Sequence, residues 1–163
     1  MNEGELRHLA FDGVNEYVSA LDELCGLPQQ SLYIFENNFD TLGFNTEARF
    51  NLLRRFLLSG SNVRLHLLAH DVQPLVRFCP RIMILLRQFG HLMYIYQTPT
   101  NLRHITTPFS VADAHHFVRR FHFDDPRGIF AQNDPEGALV LKSRFEEMWE
   151  NSHPSASATT LGL

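Results

Sequence analysis

Four side chains in the second half of the sequence have the chemistry to hold a phosphate group. Arg103 and Arg119 carry guanidinium groups, which bind phosphate oxygens through paired hydrogen bonds. His104 and Asp113 lie between them in the sequence and could flank the same pocket. Aspartate is also a common turn former, and an arginine in water needs no ligand. We favour this simpler interpretation, in which the four residues share no site.

The nine histidines of the chain raise a metal site as a second hypothesis. The candidate ligands are His70, Asp71, His104, His115 and His116. Neighbouring histidines on a strand point to opposite faces, so His115 and His116 could not readily serve one ion. The remaining spacings match no zinc pattern. We therefore expect scattered surface histidines, no metal and no other cofactor.

The segment 36–40, which follows the first predicted strand, is acidic and lacks a glycine-rich phosphate turn. We expect its carboxylates, including that of Glu36, to be solvated or to cap helices. The sequence also has no Gly-x-Ser-x-Gly elbow, which disfavours a serine hydrolase.

The composition is that of one ordinary globular domain, with 44% hydrophobic and 20% charged residues in a chain of 163. Its longest apolar run, 82–86, is far shorter than the roughly 20 residues that cross a bilayer. The acidic N-terminus does not resemble a signal peptide. We expect a cytoplasmic protein without membrane insertion. The net charge of -4 predicts no general nucleic-acid binding, although it permits a local basic groove.

Apolar periodicity predicts alternating strands and helices in the first part of the chain. Strands are predicted at 31–35, 63–69 and 91–96, and helices at 14–24, 46–58 and 74–89 with an interruption at Pro80. Strands joined by helical crossovers indicate an α/β sheet with parallel pairing.

After Pro99 the spacing becomes that of a hairpin. Strands are predicted at 109–112 and 117–123, a turn at 124–128, a short strand at 129–131 and a helix at 135–151. By parity Phe117, Phe121 and Phe123 share one face, as a core-facing or dimer-facing strand requires. We expect one domain at 1–151 and a flexible tail at 152–163, which is small and polar.

This order of elements resembles one half of a phospholipase D superfamily protein. A bacterial family of phospholipase D-like domains of unknown role is similar in two further features, the closing Phe145-x-x-x-Trp149 helix and the final Leu-Gly-Leu. The resemblance extends from about Val14 to the end. It implies an α/β fold in which helices flank both faces of a mixed sheet. In superfamily members whose chain contains a single catalytic half, two chains associate to bring two halves together. The resemblance therefore also implies a homodimer. Some members of the bacterial family are attached to acetyltransferase domains, which implies an acetyltransferase partner.

Superfamily enzymes carry the motif His-x-Lys-x-x-x-x-Asp, in which the histidine attacks phosphorus and the lysine holds phosphate oxygens. Alignment on Asp113 places Thr106 at the histidine position and Pro108 at the lysine position. The single lysine, Lys142, falls in the last predicted helix. The resemblance thus implies a catalytically degenerate domain that acts in binding, regulation or assembly. The alternative is a divergent phosphodiesterase or nuclease that uses His104 and Asp113.

Overall fold

The chain folds into a mixed β-sheet flanked by α-helices, in a computed structural model that describes residues 4–40 and 43–156. Its strands are β1 (Arg7–Asp12), β2 (Ser31–Glu36), β3 (Arg64–Ala69), β4 (Met93–Gln97), β5 (Phe109–Ala112), β6 (His116–His122), β7 (Asp125–Gln132) and β8 (His153–Ala156). Its helices are α1 (Val14–Cys25), α2 (Glu47–Leu58), α3 (Gln73–Phe78), α4 (Pro80–Phe89) and α5 (Pro135–Glu150), with a short 3-10 turn at Thr100–Leu102.

The strands form one sheet in the order β1-β7-β6-β5-β2-β3-β4-β8. β2, β3 and β4 are parallel, with Leu32 opposite Leu65 and Leu65 opposite Met93. The other neighbouring pairs are antiparallel. Helices connect the parallel strands, whereas short turns connect β5, β6 and β7, as each kind of pairing requires. The predicted α/β sheet with an antiparallel part is confirmed.

Helices cover both faces of the sheet, as predicted. The first four helices pack apolar side chains such as Leu21, Leu53 and Leu85 against one face of the sheet, where they meet Leu65 of β3 and Ile95 of β4. On the other face α5 packs Ala138, Leu141, Phe145 and Met148 against the sheet. In the described part of the chain, no helix is long and apolar enough to cross a membrane.

Two helices begin at side-chain caps that the sequence supplies. The Thr46 hydroxyl accepts a hydrogen bond from the Arg49 N–H at 3.2 Å, and the Asp134 carboxylate accepts one from the Gly137 N–H at 3.0 Å. Such caps satisfy backbone donors that the helix itself leaves unpaired. The cap at Asp134 starts α5 directly after β7, so that the helix can lie across the second face.

The structure differs from the prediction at both edges of the sheet and in one turn. β1 was not predicted, and β7 begins at Asp125 where a turn over 124–128 was expected. His153–Ala156 pairs with β4 in the segment for which we expected a flexible tail, because β4 offers an open edge there. The remainder of the expected tail, 157–163, lies outside the described residues.

His66 on β3 makes the stability of the fold depend on pH. Its ring stacks between Tyr33 and Tyr94, at centroid distances of 4.9 and 5.4 Å, and meets Trp149 edge-on at 4.9 Å. Burial, with a smaller effect of Arg64, lowers the pKa of His66 to about 4. The unfolded chain takes up this proton near pH 6.5, so it binds more protons than the folded chain between these values.

Acidification from pH 7 to pH 4 should therefore remove up to about 3 kcal/mol of stability through His66. Urea unfolding at several pH values measures this loss. His66→Phe should lessen the pH dependence, whereas His91→Phe, at an exposed position, should leave it unchanged. The same pH dependence in His66→Phe and the unaltered protein would refute this role of His66.

Candidate functional site

A cleft opens at the carboxyl ends of β2 and β3, where α/β sheets commonly bind ligands. We call it the Thr106 cleft; it has a volume of about 370 Å³ and is lined by Asn37, Asn38, His70, Asp71, Arg103, Thr106 and Phe123. The two asparagines follow β2, and the His-Asp pair follows β3. Arg103 and Thr106 come from the segment between β4 and β5.

A second cleft lies on the other side of that segment, against α5. We call it the α5 cleft; its volume is about 520 Å³, and it is lined by Leu102, His104, Ile105, Thr106, Thr107, Arg144, Glu147, Met148 and Asn151. Thr106 lines both clefts. The segment 102–107 therefore separates two adjoining depressions on one side of the molecule.

His70 is buried beside the Thr106 cleft, and both of its ring nitrogens have hydrogen-bond partners. Nε2 lies 2.7 Å from the carbonyl oxygen of Ile105, and Nδ1 contacts the Thr98 hydroxyl. A carbonyl oxygen only accepts, so Nε2 carries the proton and Nδ1 accepts from Thr98. Burial lowers the pKa of His70, and the nearby positive charge of Arg103 adds to this effect. His70 is therefore a neutral imidazole that holds the segment 102–107 in place.

A buried ion pair lies where β2 ends, next to the Thr106 cleft. The Arg120 guanidinium donates to both carboxylate oxygens of Glu36, at 2.7 and 2.9 Å, and the Tyr17 hydroxyl donates to Glu36 Oε2 at 2.6 Å. Arg120 also donates to the carbonyl oxygen of Phe123 at 2.9 Å. Because Phe123 lines the cleft, the pair fixes part of its wall.

The prediction that Glu36 is solvated or caps a helix is wrong, since 1% of its surface is exposed and its carboxylate binds the side chains of Arg120 and Tyr17. Burial raises the pKa of Glu36, and the charge of Arg120 opposes that rise. A carboxylate can be buried in this way because Arg120 and Tyr17 satisfy its oxygens.

Asp113 does not lie with the other predicted site residues. It occupies the turn between β5 and β6 with a φ of 58°. Its carboxylate accepts hydrogen bonds from the backbone N–H groups of Gln29, Gln30 and Ser31, at 2.7, 2.8 and 2.9 Å. Ser31 begins β2, whereas the Thr106 cleft lies where β2 ends. The carboxylate therefore supports the backbone at the opposite end of the strand.

The remaining predicted residues do not share one pocket. Arg103 lines the Thr106 cleft, and His104 lines the α5 cleft with its Nδ1 2.9 Å from the Asn101 carbonyl oxygen. Arg119 is exposed on β6, with its guanidinium carbon 5.8 Å from the centroid of Phe121. The structure thus brings Arg103 and His104 to one loop and leaves His104 without the Asp113 partner that the enzymatic alternative needs.

Some residues of the site were visible in the sequence, and others were not. His70 follows a strongly apolar strand, which is where a parallel sheet places its ligand-binding loops. Asn37 has the same position after β2, but the acidic character of 36–40 led us to expect no phosphate site there. Arg120 had no such signal, because it stands 84 positions from Glu36. Among residues 4–40 and 43–156, no group of three or more His, Cys, Asp or Glu side chains could hold a metal ion.

Solved structures place this architecture in a known class of fold. The archaeal chromatin protein TrmBL2, described as showing a novel mode of DNA binding, is 13% identical with a TM-score of 0.69 over 91% of this chain and 54% of its own. Nuc from Salmonella typhimurium, a phospholipase D family member, is 11% identical with a TM-score of 0.67 over 94% of this chain and 100% of its own. NucT from Helicobacter pylori is 13% identical with a TM-score of 0.60 over 93% and 100%.

The fold is therefore that of a phospholipase D-like domain, as the sequence predicted. A family model described as a domain of unknown function, DUF7931, matches residues 14–161, and the chain belongs to that family. No curated protein sequence is significantly similar to the chain. The chain spans about half the length of the archaeal chromatin protein.

The expectation that this chain shows no general nucleic-acid binding was wrong. It was based on net charge, yet the fold is shared with a chromatin protein whose structure is described as showing DNA binding. Net charge sums over the whole surface, whereas a ligand meets a local potential. A charge of -4 is thus no ground for excluding nucleic acid. The homodimer and the acetyltransferase partner stay predictions.

Proposed function

We propose that this chain is a catalytically degenerate phospholipase D-like domain that binds a phosphodiester group in the Thr106 cleft without cleaving it. The observation that supports the proposal is the position of Thr106. This residue stands at the histidine position of the superfamily motif and lines a cleft together with Arg103. A hydroxyl and a guanidinium can donate hydrogen bonds to phosphate oxygens. His70 and Asp71 line the same cleft, but within the described residues neither is hydrogen-bonded to the Thr106 hydroxyl, so no base activates it as a nucleophile.

The histidines near the cleft support binding rather than turnover. His70 uses both ring nitrogens in hydrogen bonds within the protein. His104 faces the Asn101 carbonyl oxygen and lines the other cleft. Covalent phosphoryl transfer requires a free nucleophile and groups that stabilise charge on the phosphoryl oxygens. Pro108, at the lysine position, supplies no such charge.

The charges of the Thr106 cleft favour a diester over a monoester. Arg103 contributes one positive charge and Asp71 one negative charge, and the amides of Asn37 and Asn38 contribute neutral donors. A phosphodiester carries a single negative charge, which Arg103 can balance. A phosphomonoester carries close to two negative charges at pH 7, so its second charge would meet Asp71 without a further cation.

Arg103→Gln should weaken binding of bis(p-nitrophenyl) phosphate about tenfold, because a charged hydrogen bond contributes about 1.5–3 kcal/mol and the site is open to water. Titration calorimetry measures the binding, and nitrophenolate absorbance in the same samples reports hydrolysis. Arg87→Gln, on the exposed side of α4, is the matched control and should bind normally.

Two outcomes would contradict the proposal. Equal binding by Arg103→Gln and the unaltered protein would remove the cleft as the binding site. Nitrophenolate release that disappears in His104→Ala would show an enzyme and revive the alternative of a divergent phosphodiesterase.

A further inference from the structure

The sheet face that α5 covers is exposed near the end of β6, where an aromatic ring lies open to solvent. Phe121 is 44% exposed, although it follows Phe117, which α5 buries, on the same strand. The guanidinium carbons of Arg119 and Arg127 lie 5.8 and 6.0 Å from its ring centroid. An exposed ring that lies against guanidinium groups can also stack a flat partner, and the guanidinium groups can hold an anion beside it.

We infer that Phe121, Arg119 and Arg127 form a stacking site for an unpaired base of a single-stranded nucleic acid. We call these three residues the Phe121 platform. The inference deepens the proposed function and rests on it, because the phosphodiester in the Thr106 cleft would then belong to the same strand. It assigns nucleic acid as the ligand class and gives the base its own place on the protein.

The backbone links the platform directly to the cleft. The N–H of Arg120 donates to the Pro108 carbonyl oxygen at 3.1 Å, and the N–H of Phe123 donates to the Thr106 carbonyl oxygen at 2.9 Å. Phe121 lies between these two anchored residues. Residues 106–108 therefore run beside the end of β6, and the next aromatic ring after the platform, Phe123, lines the cleft. One short oligonucleotide could contact both.

The two arginines of the platform have different tasks. Arg127 is held beside the ring by Asp125, with Nη2 2.8 Å from Oδ2, so most of its charge is already balanced. Arg119 has no carboxylate partner within 4–40 and 43–156 and is exposed. The Arg119 guanidinium can thus move from the Phe121 ring to a phosphate when a base stacks on the ring instead.

The chemistry of the platform selects unpaired nucleic acid. Bases within a duplex are stacked and paired, so their faces cannot reach an exposed ring, whereas an unpaired base can lie on it. A protein partner would instead bury a contiguous apolar patch. Two guanidinium groups lie over the ring here, and guanidinium groups bind phosphates better than they bind an apolar protein surface.

Fluorescence anisotropy with a short labelled oligothymidylate tests the platform. Phe121→Leu should weaken binding about tenfold or more, because the leucine keeps the apolar surface but cannot stack a base. Phe121→Tyr should retain binding. Phe78→Leu is the matched control, since Phe78 is 57% exposed on α3, which packs on the other face of the sheet. A duplex of the same length should bind more weakly than the single strand.

Salt dependence gives a second readout. If Arg103 and Arg119 each contact one phosphate, log K should fall with log salt concentration with a slope of about -1.4. Arg119→Gln should reduce that slope by about 0.7. A slope unchanged by Arg119→Gln would contradict the phosphate contact.

The variants separate the failure of this inference from the failure of the proposed function. If Arg103→Gln loses the simple diester while Phe121→Leu binds oligothymidylate normally, the cleft is supported and the platform is refuted. If Phe121→Leu loses oligothymidylate while Arg103→Gln binds both probes normally, the platform is supported and the cleft is refuted. No binding of oligothymidylate by the unaltered protein would overturn the platform and favour a protein contact at Phe121.

Discussion

Arg120→Leu should destabilise the domain by about 3–5 kcal/mol, because it leaves the Glu36 carboxylate buried without its positive partner. The loss is large since 5% of Arg120 and 1% of Glu36 are exposed, so water cannot replace the missing hydrogen bonds. The carbonyl oxygen of Phe123 loses a donor in the same variant. Urea unfolding followed by circular dichroism measures the change in the free energy of unfolding.

Two further variants show whether the unpaired charge is the cause. Adding Glu36→Gln to Arg120→Leu removes that charge and should recover a substantial part of the stability. Arg119→Leu changes the neighbouring residue, which is exposed, and should cost no more than about 0.5 kcal/mol. A double variant no more stable than Arg120→Leu would show that packing or hydrogen bonds, rather than charge, account for the loss.

Gly128→Ala should also be strongly destabilising, by about 3 kcal/mol, because β6 leaves no room for a side chain there. An added Cβ would lie 2.0 Å from the carbonyl oxygen of Arg119 and 2.6 Å from Cζ of Phe11. The nearer atom belongs to the backbone of a paired strand, so it cannot rotate away. For a domain of this size we expect a fall in Tm of roughly 6–12 °C.

Gly13→Ala provides the comparison for this prediction. A Cβ at Gly13 has no atom within 4 Å, and its φ of 175° is extended backbone that any residue adopts. Thermal unfolding should therefore show little change. Equal Tm values for the two glycine variants would mean that β6 and β7 can separate locally at little cost.

The parts of the fold that the sequence predicted are those with strong apolar patterns. β2 and β3 each have four buried residues among six, so they stand out as apolar runs. β1 has one buried residue among six, and its pattern does not differ from that of a loop. β8 contains Pro154, which is tolerated at a sheet edge but predicts no strand. The edge strands were not predicted because their side chains are exposed, and exposed strands lack the runs of apolar residues that mark buried ones.

The site was less predictable than the fold because it depends on contacts between distant segments. The turn interpretation of Asp113 agrees with the structure, but its three backbone partners could not be inferred from spacing. Parity placed Phe117 and Phe121 on one face, as the contacts of α5 with Phe117 and of Arg119 with Phe121 indicate. The alternation of side chains along β6 does not show how much of the sheet face α5 covers. Phe121 lies outside the area that α5 covers.

β2 joins two differently built parts of the sheet, since it is parallel to β3 and antiparallel to β5. Within the described residues, the join between β2 and β5 consists of four residue pairs. A carboxylate secures each end of it: Asp113 binds the backbone where β2 starts, and Glu36 binds Arg120 of β6 where β2 stops. The sheet therefore cannot begin to open at either end of the join between β2 and β5 without losing a charged contact. The parallel and antiparallel parts should accordingly exchange their amide hydrogens as one cooperative unit rather than as two.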